Sequence, residues 1–134
     1  MPSIGIDVSG DLQIVADLES KAARVGAETF VVVRTWGLAL NRAVQAHASG
    51  RPGPRVRTGD YRRSWSVITY TRLGGEAVAE AGTNAPQGPR LEYGFTGVDA
   101  LGRHYNQPPF PHARPALTEV EGPFIAALEK VVGS

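Results

Sequence analysis

The side chains of this sequence that could do chemistry are few and scattered. Its three histidines, His47, His104 and His112, form no H-x-H or H-x-x-x-H pair, so a metal site would have to recruit distant carboxylates. Cysteine is absent, which removes thiolate nucleophiles, thiolate-bound metals and disulfides. There is no G-x-S-x-G elbow, phosphate loop or dinucleotide fingerprint, and Gly82-Thr83-Asn84-Ala85-Pro86 has the composition of a turn rather than a phosphate cradle. Glu119 and Glu121, two positions apart, diverge on a helix and cannot share acid/base work. Glu92 is the more interesting acid. Between Leu91 and Tyr93 and near Arg90, it suits partial burial in an ion pair, whereas catalysis would need a nucleophile or second base that its neighbours do not supply. No catalytic group, metal or cofactor is expected from these residues.

Arginine is the distinctive group. Of 14 basic residues 12 are arginine, and Arg51, Arg55, Arg57, Arg62, Arg63 and Arg72 share a stretch whose only acid is Asp60. A planar guanidinium suits protein interfaces and phosphate alike. With Tyr61, Trp65 and Tyr70 among them, these arginines would make a small basic nucleic-acid-binding module if the rings offered stacking faces. The net charge of +1 gives no global attraction to nucleic acid, and a solvated loop and strand edge is the plainer reading.

The elements that must position these groups follow from periodicity. At 134 residues the chain is expected to be one α+β domain, residues 1–134. Ile4 to Val8 is a candidate short strand. From Asp11, Leu12, Val15, Leu18, Ala22, Val25, Thr29, Val32 or Val33, Trp36, Leu40, Val44 and His47 recur at steps of three and four, predicting one helix, or two in line, over 9–48 with Ser9 as N-cap and Asp11 and Asp17 near the positive end. About 37 residues of helix would run roughly 55 Å, too long for a domain whose radius of gyration is about 14 Å. Such a helix must break, most cheaply at Gly26 or Val31-Val32-Val33, or protrude and have its stripe covered by another subunit.

Residues 49–62 read as an Arg/Pro/Gly loop and 63–82 as a β-hairpin turning at Leu73-Gly74-Gly75. The small Ala77, Ala79 and Ala81 on one face of its second strand would admit a closely packed helix, with the long N-terminal helix the natural candidate. Residues 83–114 are expected to be a long loop, with a short helix or strand within Arg90 to Phe95. That loop ends in a stiff strap, Pro108-Pro109-Phe110-Pro111-His112-Ala113-Arg114-Pro115, anchored by Phe110. A C-terminal helix over 115–132 follows, with Pro115 at its start and Pro123 bending or delaying its first turn. No apolar run is long enough to cross a bilayer, and Met1 to Asp7 lacks the basic and apolar regions of a signal peptide, so synthesis in the cytoplasm without membrane contact is expected.

Several short motifs, in order, resemble those of the head-to-tail joining proteins of long-tailed bacteriophages, also described as tail-completion, neck or minor capsid proteins. Thr58-Gly59-Asp60-Tyr61-Arg62-Arg63-Ser64 resembles that family's T-G-x-L-x-x-S, with Tyr61 where leucine is usual. Gly82-Thr83-Asn84 resembles its G-T/S-N turn, Leu91-Glu92-Tyr93-Gly94 its acidic segment, and Pro109 to Leu117 its P-x-F-x-x-P-A-l strap, with an extra residue or two before Pro115-Ala116. The family's aromatic–alanine pair between turn and acidic segment is absent, with Gln87-Gly88 near its place.

The resemblance spans residues 12 to 132 and implies a structural virion protein: an α+β subunit of a hexameric ring in the phage neck, assembled in the host cytoplasm, that joins the DNA-filled head to the tail. Its implied partners are copies of itself, a portal-side adaptor or stopper, and the tail terminator or tail tube, with the genome passing nearby. Arg57, Arg62 and Arg63 are the expected contacts with adjacent ring components. Glu92, Tyr93, Phe95, Phe110 and Arg114 are further candidate interface residues, and 95–107 is expected to order only on docking.

Overall fold

The computed structural model describes residues 2–6, 12–16 and 23–133. Its elements are β1 (Pro2–Ile6), β2 (Leu12–Ala16), α1 (Ala23–His47), α2 (Asp60–Arg63), β3 (Ser66–Thr71), β4 (Ala77–Gly82), α3 (Gly88–Tyr93), β5 (Phe95–Val98), β6 (His104–Gln107) and α4 (Ala113–Gly133). The architecture is α+β: a four-stranded antiparallel sheet in the order β1-β2-β4-β3, two long helices, and a separate two-stranded sheet of β5 and β6.

The helix expected over 9–48 is shorter than its periodicity suggested. Leu12–Ala16 is a strand, paired on one edge with β1 and on the other with β4. Leu12 and Val15 stand three apart, a spacing that a five-residue strand can carry as well as a helix, and the β-branched Ile14 and Val15 favour the extended form. The expected N-cap Ser9, with Asp11, Asp17, Leu18 and Ala22, lies outside the described residues. At 25 residues α1 is about 37 Å long. It runs unbroken through Gly26 and through Val31-Val32-Val33, so the inference of an overlong helix needing a second subunit falls away.

Thr29, Val33, Gly37, Leu40 and Val44 form the buried stripe of α1, continued by the buried Ala48 just past its end, while Val31, Arg34, Thr35, Leu38 and Arg42 face outward. The stripe meets α4, whose Ala116, Leu117, Val120, Phe124 and Leu128 complete the core. The helix also lies against the alanine face of β4. Gly37 and Ala79 are the point of closest approach: a Cβ built on Gly37 would fall 2.4 Å from that of Ala79. Small residues on both sides let the helix sit on the sheet, as the alternation of Ala77, Ala79 and Ala81 predicts.

The hairpin expected over 63–82 is present as β3 and β4, with Gly74 and Gly75 at positive φ in its turn. Three further expectations need correction. Asp60–Arg63 is a helical turn across the end of the predicted loop 49–62 and the first residue of the predicted hairpin. The predicted long loop 83–114 contains α3 and the β5–β6 hairpin, so 95–107 has structure without a docking partner. That hairpin is organised by Asp99, whose Oδ1 accepts the backbone N–H groups of Leu101 and Arg103 at 2.9 Å each, and whose Oδ2 accepts from Arg103 Nε at 2.6 Å and the Tyr105 hydroxyl at 3.1 Å. Finally, α4 begins at Ala113 rather than 115 and continues past Pro123, which lies within it on an exposed face.

Candidate functional site

The proline strap delivers the chain to the start of α4 with backbone donors that no helical carbonyl can accept. Glu92, at the end of α3, takes them. Its Oε1 accepts the N–H groups of His112 at 3.0 Å and Ala113 at 2.8 Å, and its Oε2 accepts that of Arg114 at 3.1 Å. Pro115 has no N–H to satisfy. A carboxylate among these donors is favoured both by the charge-assisted bonds and by the positive end of the helix dipole. The Phe110 N–H donates to the Leu91 carbonyl at 2.6 Å, so strap and α3 are tied at two successive residues.

His112 is fully buried behind this cap. Its Nδ1 lies 2.9 Å from the Phe110 carbonyl oxygen and 3.2 Å from Glu92 Oε1; both are acceptors, so Nδ1 carries the proton. Its Nε2 then accepts from the Tyr61 hydroxyl at 2.5 Å. Tyr61 and Trp65 meet the imidazole edge-on, with ring centroids 5.4 and 5.9 Å away. Burial pushes the Tyr61 hydroxyl up to about 12, and the Glu92 charge acts in the same direction, so it remains a proton donor to His112.

The segment carrying Tyr61 is fixed by its own chemistry. Thr58 Oγ1 accepts the Asp60 N–H at 3.2 Å, Gly59 adopts φ of 84° to open α2, and Ser64 Oγ closes it on the Tyr61 carbonyl. Ser64 Oγ also meets Thr83 Oγ1 at 2.5 Å, and Thr83 Oγ1 accepts the Ala85 N–H at 3.1 Å. Four stretches far apart in sequence, around Tyr61, Thr83, Glu92 and His112, are thus joined in one hydrogen-bonded node. Both ring nitrogens of His112 and both oxygens of Glu92 are committed to bonds inside the fold.

The residues expected to meet partners are distributed unevenly around this node. Glu92 is 6% exposed and holds the node together, so it is not a surface contact. Arg57 is exposed, and Arg62 is half-exposed and donates to Ser49 Oγ at 3.1 Å. Arg63 is exposed and paired with Asp60 at 2.6 Å. Phe110 is half-buried beneath the Arg51 guanidinium, 3.7 Å from the ring centroid, and Phe95 lies in the same relation to Arg90 at 3.9 Å. Arg90 therefore attends to a ring rather than to its neighbour Glu92. Tyr93 and Arg114 face solvent.

The aromatic platform that nucleic-acid stacking would use is not formed. Trp65 is 3% exposed, Tyr61 is turned onto His112, and Tyr70 donates to Glu80 at 3.0 Å from the strand face opposite Trp65. His47, in the last turn of α1, reaches Glu119 of α4 at 3.2 Å. The roles of His112 and Tyr61 escaped the sequence, because 51 residues separate them and neither sits in a spaced motif with the other. Comparisons of the chain with protein-family models, curated proteins and solved structures return no match.

Proposed function

We propose that this chain is a structural protein of a bacteriophage neck, a subunit of a hexameric ring that joins the DNA-filled head to the tail. The observation that carries this reading is the convergence of the node. The four segments whose motifs resemble the head-to-tail joining proteins, around Tyr61, Thr83, Glu92 and His112, are the four that bond to one another in the fold. A motif set serving one catalytic step would present a free proton or lone pair to a substrate. Here the polar atoms are used to lock the hairpin, strap and last helix together, which is what a subunit under assembly load requires.

The surfaces left over suit contact with neighbours. Arg57, just before α2, and Arg62 and Arg63, within it, make an arginine rim that is exposed or half-exposed, and the β5–β6 hairpin exposes Val98, Leu101 and Tyr105. In this reading the arginine rim meets adjacent ring components or the portal-side adaptor or stopper, and the hairpin meets the next copy or the tail terminator. Deleting the gene from the phage genome that carries it tests the assignment. Electron microscopy should show filled heads and finished tails accumulating apart; infectious particles in normal yield would refute the neck role.

A further inference from the structure

On the solvent side of Tyr61 lies a half-open cavity of about 660 Å³, inside the range of roughly 300–1,000 Å³ typical of ligand pockets. Four arginines line it, Arg51, Arg55, Arg57 and Arg62, against one acid, Asp60. That acid is already held by Arg63 at 2.6 Å, so the lining keeps its positive excess. Arg51 is engaged with the Phe110 ring and with the Gly53 carbonyl at 3.1 Å, and Arg62 with Ser49. Arg55 and Arg57 make no hydrogen bond or ion pair among the described residues. Between the charges, Ala48, Val56, Leu91 and Phe110 supply apolar surface.

The walls are fixed before anything enters. Gly53 is packed so closely on the end of α1 that a Cβ there would fall 1.9 Å from the His47 carbonyl oxygen. Tyr61 is held by His112, and Phe110 by its N–H bond to Leu91. A preformed, basic, half-apolar cavity matches a ligand that alternates negative charge with an apolar side chain.

We propose that this cavity binds an extended acidic segment of a partner protein, seating an apolar side chain on Val56 and Leu91 with flanking carboxylates on Arg55 and Arg57. A nucleic-acid strand offers the charge but needs open aromatic faces for its bases. Phe110 already carries Arg51 on its ring, and Tyr61 is turned onto His112, so the cavity favours the peptide. The site goes beyond the neck assignment. It is measured on the purified chain, so its failure and the failure of the gene-deletion experiment are separate results.

The test is fluorescence anisotropy of the full chain with three labelled probes: a peptide alternating glutamate and leucine, its lysine–leucine counterpart, and oligothymidylate. The acidic peptide should bind and the basic one should not. Arg55→Glu/Arg57→Glu should weaken that binding by about tenfold or more, whereas Arg34→Glu/Arg42→Glu, the same charge change on the outer face of α1, should leave it within about twofold. Both pairs are exposed, and a thermal melt verifies that each variant folds. Amide shifts on peptide addition should cluster at residues 55–62, Leu91, Gln107 and Phe110. Equal loss in both variants, shifts elsewhere, tighter binding of oligothymidylate than of the acidic peptide, or no binding of the acidic peptide would each overturn the proposal.

Discussion

The carboxylate of Glu92 lies 2.8 Å from the backbone nitrogen of Ala113, and no residue within the first turn of α4 supplies that acceptor in its place. The helix that completes the core therefore starts from an acid in another element. The strap, the cap of α4 and the buried His112 thus share one carboxylate.

Glu92→Gln keeps the shape of the side chain but leaves a neutral amide, one half of it a donor, among three backbone donors. It should cost about 1–3 kcal/mol in urea unfolding, and Glu92→Ala at least as much. A loss below a few tenths of a kcal/mol in both would show that the cap is dispensable.

Tyr61 makes the node sensitive to alkali. Its hydroxyl titrates at about 12 in the fold against an ordinary value of 10.0. The raised value means that its contribution is fully present below pH 10 and is lost as the pH climbs from 10 toward 12, because only the unfolded chain ionises in that window. Allowing for solvent screening of a partly exposed group, the loss should be on the order of 1–2 kcal/mol. Tyr61→Phe should flatten this decline and, by leaving His112 Nε2 without its donor, lower stability at neutral pH by about 1–3 kcal/mol. Parallel alkaline melting curves of the two proteins would contradict the assignment.

Gly37→Ala should destabilise the chain by about 1–3 kcal/mol, since the new methyl collides with Ala79 on a strand that cannot retreat from its neighbours on both sides. Ala79→Gly should recover part of that loss, giving a coupling of about 0.5–3 kcal/mol in a double-mutant cycle. Strict additivity would mean that the helix does not rest on the sheet at this point.

The β5–β6 hairpin should loosen in acid. The Arg103 N–H foremost, with its guanidinium, the Tyr105 hydroxyl and the Leu101 N–H, holds the Asp99 carboxyl below its ordinary value of 3.8. A lowered value contributes order above that pH and loses it as the pH falls through and below it. Amide exchange at Leu101 and Arg103 should therefore accelerate on acidification, and Asp99→Ala should show the same loss at neutral pH while the melting of the core is unchanged. Unaltered protection in the variant would indicate that strand pairing alone maintains the hairpin.

The sequence revealed most where one physical signal dominated. Ser66 to Gly82 alternates around a Gly-Gly turn, and the buried steps of α1 and α4 fall at three and four, so the hairpin and both long helices are legible. Leu12–Ala16 was misread because its apolar spacing fits a helix as well, and only the open edge of β4 decides for a strand. The β5–β6 hairpin was missed because its turn depends on one side chain, Asp99, rather than on an alternating pattern. The node was half visible. Glu92 stood out as an acid suited to burial, but its partners are backbone groups and so carry no sequence signature. The closed stacking faces of Tyr61 and Trp65 likewise depend on the position of His112, which no local pattern specifies.

The proposed neck role is tested most directly by quantitative mass spectrometry and cryo-electron microscopy of virions purified from cells that express this chain. The account predicts a few copies per particle, confined to a ring at the head–tail junction, with α4 and the Glu92 cap inside each subunit and the arginine rim against a neighbour. Absence of the chain from mature particles that are joined and infectious would contradict it.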